Sequence, residues 1–189
     1  MRPDSSTLLY TGTKADPFRA SEGNEKHCPA PSPGTDFTFS GFPWIIAGAA
    51  LRGQRTNIRS LRQKFQYNFH SPADNYLQYS PLLLTTGLKA AGVEGRSTWG
   101  RYAVSAAASY AVMALLVNSI KYAAREQRPD GSTRNSFPSG HTATAFAAAT
   151  ILHKEYGLTR SPWYSIGGYM MATATGCMRV LNNRHWVSD

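Results

Sequence analysis

YAVSAAASYAVMALLVNSI, residues 102–120, runs for 19 positions without a charge. As a helix it is about 28 Å long, close to the hydrocarbon thickness of a bilayer. KYAAREQRP, residues 121–129, follows at once, so the chain turns cationic and then meets a proline. Four more apolar stretches flank this span, at 42–51, 79–93, 142–152 and 163–180. The second of the five is interrupted by Lys89, and the last contains Gly167, Gly168 and Gly176, which permit close helix packing. No stretch alternates with period two for long. The reading is therefore all-α, with helices broken at Pro43, Pro72, Pro81, Pro129, Pro138 and Pro162. A mean hydropathy of -0.36 suits a soluble bundle with Ala-rich buried helices. The uncharged span decides instead for a multi-span membrane helical bundle.

Around this core the chain is less informative. Residues 1–40 are polar, with Pro29, Pro31 and Pro33 near their end, and are expected to form a poorly ordered N-terminal tail ahead of a core over 41–189. They show no secretory signal pattern. Cys28 and Cys177 lack metal-ligand spacing. Lys plus Arg number 20 against 11 Asp plus Glu, and the pI is near 9.8. That excess suits a phosphorylated substrate or an anionic membrane surface. A nucleic acid partner is not expected, because the basic stretch from Arg52 to Lys64 carries no aromatic residue and reads as a juxtamembrane segment.

Three motifs carry chemistry. Lys121 and Arg128 are seven apart, two helical turns, so one helix would place both on one face before Pro129 stops it. The plainer alternative is a juxtamembrane basic cluster that includes Arg125. Phe137-Pro138-Ser139-Gly140-His141 precedes the Ala-rich helix. Ser139 can cap it, Gly140 lets an anion approach the backbone, and His141 stands in the first turn to move a proton. An ordinary capped helix start with a surface histidine has the same pattern. Arg179, His185 and Asp189 form the third motif. A four-residue spacing on a helix sets the carboxylate beside the imidazole, as in a Ser-His-Asp triad. Asn182-Asn183 can supply a turn that brings Arg179 back toward them. The alternative is a chance His–Asp pair at a helix end. Following the chain from one apolar helix to the next brings all three motifs to one face.

Lys121-x6-Arg128-Pro129, Pro138-Ser139-Gly140-His141 and Arg179-x5-His185-x3-Asp189 together resemble the signature of the type 2 phosphatidic acid phosphatase family. Its superfamily also holds vanadium-dependent haloperoxidases and soluble bacterial acid phosphatases. The match covers 121–189, its helical pattern reaches back to about residue 79, and residues 1–78 contribute little to it. The resemblance implies that Lys121, Arg128 and Arg179 hold phosphate oxygens and that Ser139 and the Gly140 amide complete the cradle. It implies that His185 attacks phosphorus, Asp189 orients it, and His141 protonates the leaving alcohol. It further implies no metal or other cofactor, a phosphorylated lipid as substrate, and six spanning helices in a cell (inner) membrane. Positive residues on the far side, Arg96, Arg101, Lys154 and Arg160, put the site at the periplasmic or exterior face.

The chain departs from the family at Met178, where a small hydroxyl residue is usual. It also offers at most five spans, so the bundle is expected to lack its last helix. The resemblance leaves two other functions open. One is a haloperoxidase with vanadate anchored by His185, and the other is a non-catalytic membrane protein.

Overall fold

The apolar stretches all become helices, and an unforeseen short helix enters ahead of the second. A computed structural model describes residues 42–189. Among these, α1 spans Phe42–Gln66, α2 Ala73–Leu77, α3 Ser80–Ala90, α4 Trp99–Ala124, α5 Gly140–Leu152 and α6 Pro162–Leu181. A π-helical turn, His153–Gly157, continues α5. The described residues contain no strand. The expected tail over 1–40, with Cys28, lies outside them.

Several prolines expected to break helices begin them instead. Pro81 and Pro162 stand in the first turns of α3 and α6. Amides there have no intrahelical acceptor, so proline's missing N–H costs nothing. Pro43 likewise sits at the start of α1, which runs on through the basic stretch to Gln66.

The core lies between α5 and α6 and is built from small residues. Ala145, Ala148 and Ala149 on α5 are fully buried, and Ala172 on α6 packs with Ala145 and Ala149. A Cβ on Gly168 would stand 3.0 Å from Leu152 Cδ2 and 3.5 Å from the Ala149 Cα, so this glycine lets the two backbones approach. Gly176 meets Thr142 only at ordinary contact distance, and a Cβ on Gly167 would meet nothing within 4 Å. Close packing thus rests on one of the three glycines.

Helix α4 is the one described helix long and apolar enough to cross a membrane by length and composition. Its Val104, Val112, Leu115 and Leu116 are exposed. The described residues are therefore all-helical with one such candidate span.

At the end of α5 away from its capped start, Lys89 is buried with Glu155, Nζ to Oε2 3.1 Å. Lys89 Nζ also donates to the Ser97 carbonyl at 2.6 Å, and the Ser97 amide donates to Glu155 Oε2 at 3.2 Å. The charge that interrupted an apolar stretch is thus a closed polar lock between α3, the 91–98 loop and the π-helical turn. Breaking a buried pair strands its partner in low dielectric. Lys89→Met is expected to cost about 3–5 kcal/mol of unfolding free energy, measured by denaturant titration in detergent. Lys89→Met with Glu155→Leu should recover much of it.

Candidate active site

Each of the three motifs reaches the site by a local device. Helix α4 ends at Ala124 because Arg125 turns left-handed, with φ 44°. Arg128 therefore lies in the following loop and not on the helix face of Lys121, which corrects the two-turn reading. The loop is pinned from both sides. Arg128 N–H donates to the Thr133 carbonyl at 3.0 Å, Ser136 N–H to the Glu126 carbonyl at 2.9 Å, and the Trp186 indole to the Gln127 carbonyl at 2.8 Å. Lys121 Nζ donates to the Asn135 carbonyl at 3.2 Å. The two cations meet through the fold of the loop, near enough to feel each other and Arg179.

Ser139 caps α5, as its place before the helix predicted. Its Oγ accepts from the Thr142 amide at 3.4 Å and the Thr142 hydroxyl at 2.9 Å. With both lone pairs used, the Ser139 hydroxyl proton remains to be donated. The space a Cβ on Gly140 would fill is open to 4 Å. His141 is half-buried in the first turn.

Asn182 caps α6, and Asn183 takes a left-handed φ of 58°, the turn expected there. His185 and Asp189 therefore pair across a turn and not along a helix. His185 Nδ1 lies 3.2 Å from Asp189 Oδ2, with both side chains almost wholly buried. Asp189 Oδ2 also accepts the Trp186 amide at 3.0 Å and the Ser136 hydroxyl. The Asp189 carbonyl takes the Ser139 amide at 3.1 Å, which ties the third motif to the second. Since the carboxylate accepts, Nδ1 carries the imidazole proton and Nε2 keeps its lone pair. Burial pushes the His185 pKa down. The Asp189 hydrogen bond raises it, and the charges of Arg179 and Arg128 lower it, so it ends below its ordinary value.

The cations are arranged for an anion. Arg179 is buried on the last turn of α6. The Nε atoms of Arg128 and Arg179 are buried donors without an acceptor among the described residues. An oxyanion between them would satisfy both. His141 feels Arg179, Asp74, His185 and Lys121, so these five residues share one electrostatic neighbourhood. Among the described residues no three His, Cys, Asp or Glu side chains gather as a metal site.

Sequence reasoning missed the residues that hold this set. Arg179 Nη1 donates to Asp74 Oδ2 at 2.6 Å, and Asp74 is 1% exposed. Burial alone would raise the Asp74 carboxyl, but the hydrogen bond and charge of Arg179, with His141 and Asn182 behind it, hold it below the usual carboxylate range. Asn75 Oδ1 lies 2.9 Å from His141 Nε2. The Asn182 side chain grips the Ser71 backbone twice, at 2.9 and 2.8 Å. Residues before 79 contributed little to the signature, yet α2 touches two of its side chains. A lone Asp-Asn pair between a proline and a short apolar run has no periodicity to mark it.

The basic stretch expected as a juxtamembrane segment lies on α1 and also reaches the site. Arg55 and Arg59 stack over the Trp186 ring, at 5.1 and 5.5 Å, and Arg62 donates to the Leu181 carbonyl at 2.9 Å. Arg55 also pairs with Glu126. Their spacing puts these arginines on one helix face, against the site.

A buried His–Asp pair set among two arginines and a lysine, beside a capped helix start, belongs to a recognised class. Residues 101–189 match the model of the PAP2 superfamily, which supports assigning the chain to the type 2 phosphatidic acid phosphatase family. Among curated proteins it is similar to the lipid A 1-phosphatase of Porphyromonas gingivalis, 51% identical over 148 residues, which cover 78% of this chain and 33% of the relative. The chain thus spans about a third of the length of the curated relative it matches. No solved structure matches.

Proposed function

We propose that this chain is a membrane lipid phosphatase that removes a phosphate from a phosphorylated lipid through a phosphohistidine intermediate, without a metal. The observation that carries the reading is His185 held by Asp189 through Nδ1, with Nε2 left as a neutral nucleophile among cations. In the first step Nε2 attacks phosphorus, and the bond from phosphorus to the lipid oxygen breaks. The leaving oxygen takes the proton of His141. In the second step His141 accepts a proton from water as that water attacks the phosphoimidazole. The P–N bond breaks, its electron pair returns to Nε2, and inorganic phosphate leaves.

Phosphoryl transfer asks chiefly for positioning and for neutralisation of the charge on the equatorial oxygens. Lys121, Arg128 and Arg179 supply three positive charges, and the Ser139 hydroxyl and Gly140 amide extend the cradle at the α5 start. This is the part a divalent cation plays in other phosphotransfer sites. The apolar outer face of α4 suits a lipid substrate arriving from the bilayer. Cations at the far end, Arg96, Arg101, Lys154 and Arg160, favour a cytoplasmic position for that end and an outer position for the site.

The relative's name makes lipid A bearing its 1-phosphate the first substrate to test, and it favours hydrolysis over halide oxidation. The chain, purified in detergent, is expected to release phosphate from this lipid with excess EDTA present. Phosphatidic acid and polyprenyl pyrophosphate complete the panel and rank the head groups. Turnover that needs added Mg²⁺, or none on any of these lipids, would sink the reading.

A further inference from the structure

We propose that Asn75 is a positioning residue that sets the tautomer of His141, making Nδ1 the nitrogen that gives and takes the proton. The inference rests on the acid–base part assigned to His141 above, and it comes from a segment outside the three motifs.

The geometry is direct. Asn75 Oδ1 lies 2.9 Å from His141 Nε2. An amide oxygen only accepts, so Nε2 must carry the hydrogen and Nδ1 must hold the lone pair of the neutral ring. A free imidazole prefers neither arrangement strongly enough to guarantee this, and proton transfer fails when the wrong nitrogen faces the reacting oxygen. His185 shows the opposite assignment, Nδ1 protonated on Asp189 and Nε2 bare. The two histidines thus hold complementary tautomers, each imposed by one acceptor.

Asn75 can do this only if α2 is fixed, and it is. Asp74, its neighbour, is locked to Arg179 at 2.6 Å. Ser71, just before the helix, is gripped twice by the Asn182 side chain. Both anchors lie at the C-terminal end of α6, which also leads into the turn bearing His185. A displacement of α6 would carry α2 with it, so the distance between acid and nucleophile stays set. The charged or titratable groups that face His141 are Arg179 from α6, Asp74 from α2, Lys121 from α4 and His185 from the final turn. Asn75 carries no charge, so it directs the proton without adding one.

Asn75 is exposed, so its replacement leaves the core intact. Against the lipid hydrolysed by the wild type, Asn75→Ala is expected to lower kcat about 10- to 100-fold with KM within about threefold. Asn75→Asp keeps an acceptor and should restore most of kcat. It should also move the alkaline limb of the pH profile upward, because a carboxylate there stabilises the protonated ring. Selective ¹⁵N labelling of histidine, with His141→Gln to assign the signal, gives a readout independent of turnover. The wild type should show the Nε2–H form, and Asn75→Ala a mixture of tautomers. Wild-type kcat and an unchanged tautomer in Asn75→Ala would overturn the proposal, as would an Asn75→Asp no better than alanine. A wild type that turns over while His185→Ala does not keeps the phosphatase reading standing whatever Asn75 does. If the wild type is silent, that reading fails and the labelled spectra alone decide the tautomer.

Discussion

His185→Ala is expected to abolish phosphate release, by about four orders of magnitude or more, while the fold persists. The size follows from the part proposed for the ring as nucleophile. Without Nε2 there is no group to accept the phosphoryl, and the path through a covalent intermediate closes. The cations proposed to grip phosphate remain, so lipid binding should change far less than turnover. The direct measurement is capture of the intermediate. With ³²P-labelled lipid, rapid quenching into alkali should leave label on the wild-type chain, where a phosphoramidate bond survives base and is cleaved by acid. The variant should carry none. Label that persists in His185→Ala, or turnover reduced less than about tenfold, would move the nucleophile elsewhere. Circular dichroism and melting in detergent separate loss of chemistry from loss of fold.

Asp189→Asn is the second large effect, and its pH dependence carries a sign. An amide can present its NH₂ to Nδ1 and hold the ring in the wrong tautomer, so kcat should fall about 10³- to 10⁴-fold. The carboxylate's hydrogen bond is what raises the His185 pKa. Without it, burial together with Arg179 and Arg128 pushes the ring further down. In the proposed mechanism His185 works neutral, so the acid limb of kcat/KM should move to lower pH in the variant even as its plateau drops. A limb moving to higher pH would mean that it belongs to another group. The same depression bears on stability. Near and below pH 6.5, the ordinary histidine value, the unfolded ring takes up a proton that the folded site refuses. Stability from this residue is thus complete above that pH and falls as pH drops toward the folded value.

Much of the site was legible because its residues recur at fixed spacing beside strong local signals. Ser139 announces itself by preceding an Ala-rich helix, and Asn182-Asn183 by turn chemistry. Two spacings were right in partners and wrong in path. Seven residues from Lys121 to Arg128 fit two helical turns, but Arg125 adopts a left-handed conformation that nothing in its side chain demands. Four residues from His185 to Asp189 fit one turn of helix, but α6 stops at Leu181 and the pair closes across a turn.

Local periodicity and capping thus determine where the helices run, and charge type and spacing determine which side chains suit a phosphate. These are short-range properties, written in neighbouring residues. The supports are long-range. Asp74 reaches Arg179, Asn75 reaches His141, Ser136 reaches Asp189 and Lys89 reaches Glu155 across gaps of 105, 66, 53 and 66 residues. A buried polar group must find a partner somewhere, but the sequence does not say where. Only the packing of α2 against α5 and α6, of the loop before α5 against the turn after α6, and of the π-helical turn against the 91–98 loop, decides those pairings.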